Sequence, residues 1–129
     1  MKTLIGLAGL GATLLAASAF AAPNPGQPPA GASPQAIQEH GNRAFQYYCA
    51  PCHGPGKGNN RPYLPGTDAL NVKYKGERPA LLEERTDLTA DFVRFMVRNG
   101  IEGMPSFRKV ELSDANLDAI GAYLARNNK

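Results

Sequence analysis

The chain has 129 residues, a formal net charge of +3, 43% hydrophobic residues and two cysteines. That length suits one domain rather than two, and the absence of a long basic block argues against nucleic acid as a partner. A mildly basic surface is compatible with docking on an acidic protein but specifies none.

The first residues read as an export signal. Met1-Lys2 gives a short positive start, Leu4 to Phe20 is uncharged and rich in Leu, Ala and Gly, and Ala19-Phe20-Ala21 offers small residues to a signal peptidase. Cleavage of a signal peptide, residues 1–21, is expected near Ala21, with Ala22 as the other boundary. Glycines at 6, 9 and 11 and the small-residue exit argue against an uncleaved anchor. The expected location is therefore periplasmic, with no stable membrane insertion after cleavage. Residues 22–34 are rich in Pro and Gly, hold no large apolar side chain, and are expected to be a flexible linker. Residues 35–129 then form the folded domain, at a size where an apolar core alone is marginal and a staple is expected. A disulfide between Cys49 and Cys52 would close a loop too short to serve as that staple.

Ser33 is placed to cap a helix running to Tyr48, with Pro34 in its first turn and Ile37, Gly41, Ala44, Phe45 and Tyr48 on one face. Directly after it comes Cys49-Ala50-Pro51-Cys52-His53, the C-x-x-C-H pattern of c-type haem attachment. Two thiols three residues apart suit the two vinyl groups on one porphyrin edge, and the histidine that follows can offer a ring nitrogen to iron. The rival readings fare worse. A thioredoxin-like pair needs a strand–helix setting, whereas here a helix precedes the motif and Gly54-Pro-Gly-Lys-Gly follows it. A structural zinc site needs four ligands, commonly Cys and His, and His40 lies on the preceding helix. His40 is read as solvent-facing or structural rather than as a ligand.

Residues 54–66 and 76–80 read as loops, with a short helix around Thr67 to Tyr74 between them. Thr89 then caps a helix that ends at Asn99 and Gly100, with Phe92, Val93, Met96 and Val97 as its buried stripe. Met104 follows in Gly100-Ile-Glu-Gly-Met-Pro-Ser-Phe, where no regular element would use it as filler. It is the candidate sixth ligand, on the iron face opposite His53; Met96 reads as helix packing. Ser113 caps the last helix, Leu112 and Leu117 stand as a hydrophobic staple, and Leu117, Ile120 and Leu124 form the inner stripe with Tyr123 on its flank. Gly41 would let this helix cross closely, with Ile120 and Tyr123 as the residues to pack there. No strand pattern stands out, so the expected fold is all-α, with three to four helices.

Gly41…Phe45…Cys49-x-x-Cys52-His53, the Met104-Pro105 loop and a final helix with Ile120 and Tyr123 together resemble a class I cytochrome c over about residues 36–126. More narrowly, Val97-Arg-Asn-Gly-Ile-Glu-Gly-Met104-Pro-Ser-Phe107 and the final helix are similar to the cytochrome subunit of p-cresol methylhydroxylase. The Cys49-Ala-Pro-Cys-His-Gly-Pro-Gly run and the insertion after it look like those of eugenol and other 4-alkylphenol hydroxylases. The resemblance implies one covalent haem c held by Cys49 and Cys52, with His53 and Met104 as axial ligands. It further implies an electron-transfer subunit, not a catalyst, that takes electrons from a flavoprotein dehydrogenase or hydroxylase and passes them to a downstream periplasmic acceptor. A free shuttle serving a quinoprotein dehydrogenase or a terminal oxidase is the alternative, and a haem sensor or enzyme with open iron is the alternative of another class.

Around such a site, a backbone carbonyl of Pro55, Pro62 or Pro65 is expected to accept from the His53 ring. Tyr47, Tyr48, Tyr63, Tyr74 and Arg61 are candidates for a haem propionate. Lys57, Arg98, Arg108 and Lys109 lie near the two loops in sequence and suggest a positive rim.

Overall fold

The computed structural model describes residues 24–56 and 63–128. The expected signal segment 1–21 and residues Lys57, Arg61 and Pro62 lie outside the described residues. Helix α1 spans Pro34–Tyr48. The Ser33 hydroxyl accepts from the Ala36 N–H at 3.3 Å and satisfies one of the donors that a helix start leaves open. Pro34 has no N–H to satisfy and a backbone angle already suited to the first turn. His40, Gly41, Ala44 and Phe45 are its buried residues, spaced three and four apart on one face.

The chain does not leave the helical path at the end of α1. Cys49 keeps right-handed backbone angles and its N–H donates to Phe45 O at 2.8 Å. A single turn, α2, follows at Ala50–His53. After Gly54, a bridge between Pro55 and Tyr63 closes the neck of the next segment. Helix α3 is Pro65–Tyr74, two residues longer at its start than the sequence suggests, with Pro65 again using the N–H-free first turn. It ends at Lys75, which takes left-handed angles at φ 48°. A short 3₁₀ turn, Leu82–Glu84, leads on to α4 at Ala90–Asn99 and α5 at Asp114–Leu124. Thr89 and Ser113 cap these last two as expected, accepting from the N–H groups of Phe92 and Asn116. Among the described residues the molecule is helical, with no strand beyond two isolated bridges. None of these helices is long and apolar enough to cross a membrane.

The core forms where α1 and α4 both pack on α5. Ala44, Phe45, Leu88, Val93, Val97, Leu112, Leu117, Ile120, Tyr123 and Leu124 make one buried cluster. The rings of Phe45 and Tyr123 meet at 5.9 Å, tilted by 49°. Two stripe residues depart from expectation, Phe92 and the half-buried Met96. Val93 and Val97 are buried against this cluster, but Phe92 is 47% exposed and Phe95 62% exposed. Positions 92, 95, 96 and 99 share a second face of α4, which no protein segment covers fully.

The closest approach in the fold is at Gly41. A Cβ there would lie 2.0 Å from Ala119 O and 2.8 Å from Tyr123 Cβ, so the two backbones meet without a side chain between them. Tyr123 therefore packs at this point as anticipated. The other neighbour is the carbonyl of Ala119 rather than Ile120, which lies fully buried in the core. Next to the crossing, His40 is buried at 1% exposure and its Nε2 donates to Asn116 Oδ1 at 2.7 Å. It is thus structural and not solvent-facing. Asn116 Nδ2 in turn donates to Gly26 O at 2.8 Å, and Ser113 Oγ donates to Gln27 Oε1 at 3.0 Å. The described part of the Pro-rich stretch therefore makes polar contacts with the start of α5 while contributing nothing apolar to the core.

Gly41→Ala should gain about 1 kcal/mol in helix propensity. It should lose more to overpacking, about 3 kcal/mol, because the obstacle is a backbone carbonyl and not the end of a flexible side chain. Urea unfolding of the intact protein measures the balance, and a variant as stable as the parent would refute this account of the crossing.

Candidate functional site

The site starts from a helical turn. Both Cys52 N–H and His53 N–H donate to Cys49 O, at 3.1 and 2.8 Å. Residues three and four apart lie on one side of such a turn, so Cys49, Cys52 and His53 are presented together. Cys49 is half-buried against the α1–α4–α5 core, Cys52 is exposed, and both are free thiols. Burial first, and the neighbouring Cys52 second, push the Cys49 thiol up to about 12, so it keeps its proton at neutral pH. Such a thiol is poorly suited to thiolate redox chemistry or zinc binding, both of which need the ionised sulfur.

His53 is half-buried and held by its surroundings. A Cβ at Gly66, in the first turn of α3, would lie 2.9 Å from His53 Cε1 and 3.1 Å from Nδ1. Only glycine lets α3 come this close to the ring. Gly54, directly after His53, is fixed by its carbonyl, which accepts from Leu64 N–H at 3.3 Å and from the fully buried Thr67 hydroxyl at 3.1 Å. Desolvation lowers the His53 pKa and favours the neutral imidazole that a metal ligand requires. Among the described residues its Nδ1 is buried with no hydrogen-bond partner; neither Pro55 nor Pro65 accepts from it, and Pro62 lies outside those residues. With Nδ1 turned toward α3, Nε2 is the nitrogen left for a ligand.

Met104 is brought to the same core. Gly100 ends α4 at φ 70°, and a Cβ on it would fall 2.7 Å from Met104 O. The chain then turns tightly, with Ile101 N–H donating to Met104 O at 3.1 Å and Met104 N–H to Ile101 O at 2.8 Å. Met104 is half-buried and packs on the buried cluster that also receives Tyr48, Cys49, Ala50, Leu82 and Phe107. Met96 stays on α4, half-buried, as part of the second face described above.

The remaining candidates are scattered. Tyr47 and Tyr48 stack edge-to-face at 4.8 Å, and Tyr63 sits in the Pro55 bridge. Tyr74 lies under two guanidinium groups, Arg85 at 4.8 Å and Arg78 at 5.6 Å. Of the expected positive rim, Lys57 lies outside the described residues and the other three cations are paired. Lys109 and Arg98 both bond Asp114, at 2.7 and 2.8 Å, and Arg108 pairs with Glu111 at 2.9 Å. Sequence reading also missed two inward-turned cations. Arg85 is buried at 3% exposure and grips Asp87 through two bonds of 2.6 and 2.7 Å. Arg98 reaches the carbonyls of Phe107 and Leu112 at 2.8 and 2.9 Å. A basic residue in the last turn of a helix commonly seeks carbonyl groups, and that rule would have found Arg98. Nothing in the local pattern marks Arg85.

A family model described as cytochrome c oxidase, cbb3-type, subunit III matches residues 36–124. No curated protein and no solved structure matches the chain.

Asp114 sets an acid limit on this part of the molecule. Lys109 first, and Arg98 second, hold its carboxyl down at about 2. Its contribution to stability is complete above the ordinary carboxylate value and is lost as the pH falls toward about 2. Asp114→Asn should therefore lower stability at neutral pH and flatten the acid limb of a urea-midpoint versus pH curve. An acid limb of unchanged steepness would contradict this.

Proposed function

The chain belongs to the cytochrome c family described as cytochrome c oxidase, cbb3-type, subunit III, and on that premise we propose that it is an exported electron-transfer protein with one covalent haem c, held by Cys49 and Cys52 and ligated by His53 and Met104. The family as such carries out haem-based electron transfer, generally as a carrier and not as an enzyme. The observation that supports the finer reading is the turn Cys49–His53. It sets two free thiols and a neutral imidazole on one side, with Nε2 as the ring nitrogen turned away from α3. The residues fit the group in a second respect. Ile101, which pairs with Met104, is 43% exposed, and this suits contact with a large flat apolar ring.

When bound, the haem supplies a one-electron iron couple. Cys49 and Cys52 would each add across a vinyl group, the S–C bond forming as the thiol proton passes to the adjacent carbon, with no net change in electron count. His53, backed by Gly66, would offer Nε2 from a ring that α3 keeps from turning. Met104 would offer the iron a soft thioether, which favours the ferrous state and raises the potential. With both His53 and Met104 engaged, the group would supply electron exchange, which favours the carrier reading over the sensor or enzyme one.

For the upstream donor we favour a flavoprotein that oxidises 4-alkylphenols, on the strength of the Val97–Phe107 stretch and the Cys49–Gly56 run. Each two-electron oxidation there would require two successive one-electron transfers. The matching family is described as an oxidase subunit, and this favours a second reading in which the chain delivers electrons to a terminal oxidase.

Protein matured with haem-attachment machinery should keep one haem through acidic organic extraction, and Cys49→Ala/Cys52→Ala should lose it. The oxidised parent should show the far-red thioether–iron band, and Met104→Ala should abolish it and allow the ferrous form to bind carbon monoxide. Extraction of the haem from the parent would sink covalent attachment, and a band that persists in Met104→Ala would remove Met104 as the ligand. Stopped-flow mixing with a phenol-reduced flavoprotein and with a reduced-cytochrome oxidase assay separates the two partner readings by which one turns over.

A further inference from the structure

Arg98 is the side chain whose bonds the haem chemistry above does not use. It stands in the last turn of α4, one residue before Asn99, with its side chain 19% exposed. Its fork is filled from the far side of the Met104 loop. Nη1 donates to Phe107 O at 2.8 Å, and Nη2 donates to Leu112 O at 2.9 Å and to Asp114 Oδ1 at 2.8 Å. Its Nε is buried without a partner. Phe107 is thereby tied to α4 through both main-chain polar atoms, since its N–H donates to Val97 O at 2.9 Å. Met104 lies between this tie and the Ile101–Met104 turn, so it is anchored on each side within three residues.

We propose that Arg98 is a positioning residue that fixes Met104 for iron by clamping the Phe107 and Leu112 carbonyls to the end of α4. The inference rests on Met104 being the axial ligand. The physical case is that the loop has few other ties. Between Gly100 and Ser113 its remaining main-chain bonds are local, from Glu111 N–H and Leu112 N–H to Arg108 O at 3.0 Å. Local turns hold the loop's shape but not its place relative to α4. Among the described residues, Phe107 N–H and the Arg98 fork supply the hydrogen bonds that tie the loop to α4, and the fork, like Lys109, also reaches α5 through Asp114. Lysine would not replace it, because one ammonium cannot serve three acceptors along the planar geometry that guanidinium provides. Without the fork, the half-buried carbonyls of Phe107 and Leu112 would seek water, and the loop would move outward with Met104 on it.

The test uses the haem-loaded protein. Arg98→Met keeps the aliphatic stem and removes the donors. It should weaken the far-red thioether–iron band at neutral pH and speed binding of cyanide to the ferric protein by about tenfold, equivalent to about 1.4 kcal/mol in the fraction of Met-off protein. Arg98→Lys should restore the band only in part. Asp114→Asn leaves both carbonyl bonds available and should lower stability while keeping the band. Folded Arg98→Met with parent-like band and cyanide rate would overturn the proposal. So would equal band loss in Arg98→Met and Asp114→Asn, which would mark Arg98 as general fold support. Should Arg98→Met fail to fold, Arg98→Lys with an undiminished band would overturn it as well. Absence of the band in the parent protein would instead remove the Met104 premise, and that failure is distinct from the others.

Discussion

The backbones of α1 and α5 touch at Gly41 and Ala119, and the rest of the molecule is placed by that contact. Because no side chain separates them, the two helices lie close enough for Phe45 and Tyr123 to share one buried layer. Phe45 is also the acceptor for the Cys49 N–H. The first thiol is thus a single helical turn beyond the best-buried aromatic of the core, and its position follows from the crossing. Close-packed interiors resist displacement, so a turn rooted this way takes its place from the core.

A second constraint comes from polar groups that cannot be left alone. His40 and Asn116 are both buried beside the crossing and satisfy each other, with Asn116 passing its second bond to Gly26 O. A net hydrogen bond is worth only about 1 kcal/mol, but orphaning a buried partner costs about 1–3 kcal/mol. Their main effect is therefore on register. Sliding α5 along α1 would strand both groups, so the pair fixes which residues face Gly41. Asp114 does similar work at the start of α5, drawing Arg94, Arg98 and Lys109 to one carboxylate.

Much of this was legible beforehand wherever a residue's own chemistry decides the outcome. Ser33, Thr89 and Ser113 cap helices because a short hydroxyl side chain can reach a free N–H, and that depends on nothing distant. Gly41 announced a close crossing because glycine in mid-helix needs a reason. The C-x-x-C-H run and the Met-Pro loop stood out for the same kind of local cause. Features that depend on what lies opposite were not legible. Phe92 and Val93 look alike in a periodic stripe, yet only Val93 and Val97 face α5. His40 could not be told from an exposed residue until Asn116, 76 positions away, was seen against it. The basic residues from Arg98 to Lys109 read as free charge because their partners, Asp114 and Glu111, lie in a different element or across a turn. Arg85 and Asp87 are near in sequence, but burial of the arginine depends on Tyr74 folding back over it.

The doubly accepted carbonyl of Gly54 has a consequence for how this scaffold can vary. Leu64 N–H and the Thr67 hydroxyl converge on it, and Pro55 bridges Tyr63 just beyond. The chain leaving His53 is therefore drawn shut at a neck whose two ends, Pro55 and Tyr63, are held together. Doubling such an excursion adds only about 0.6 kcal/mol of closure entropy. On that arithmetic a longer connection between Pro55 and Tyr63 should cost little to close, and the bonds on Gly54 O would still fix the backbone beside the histidine.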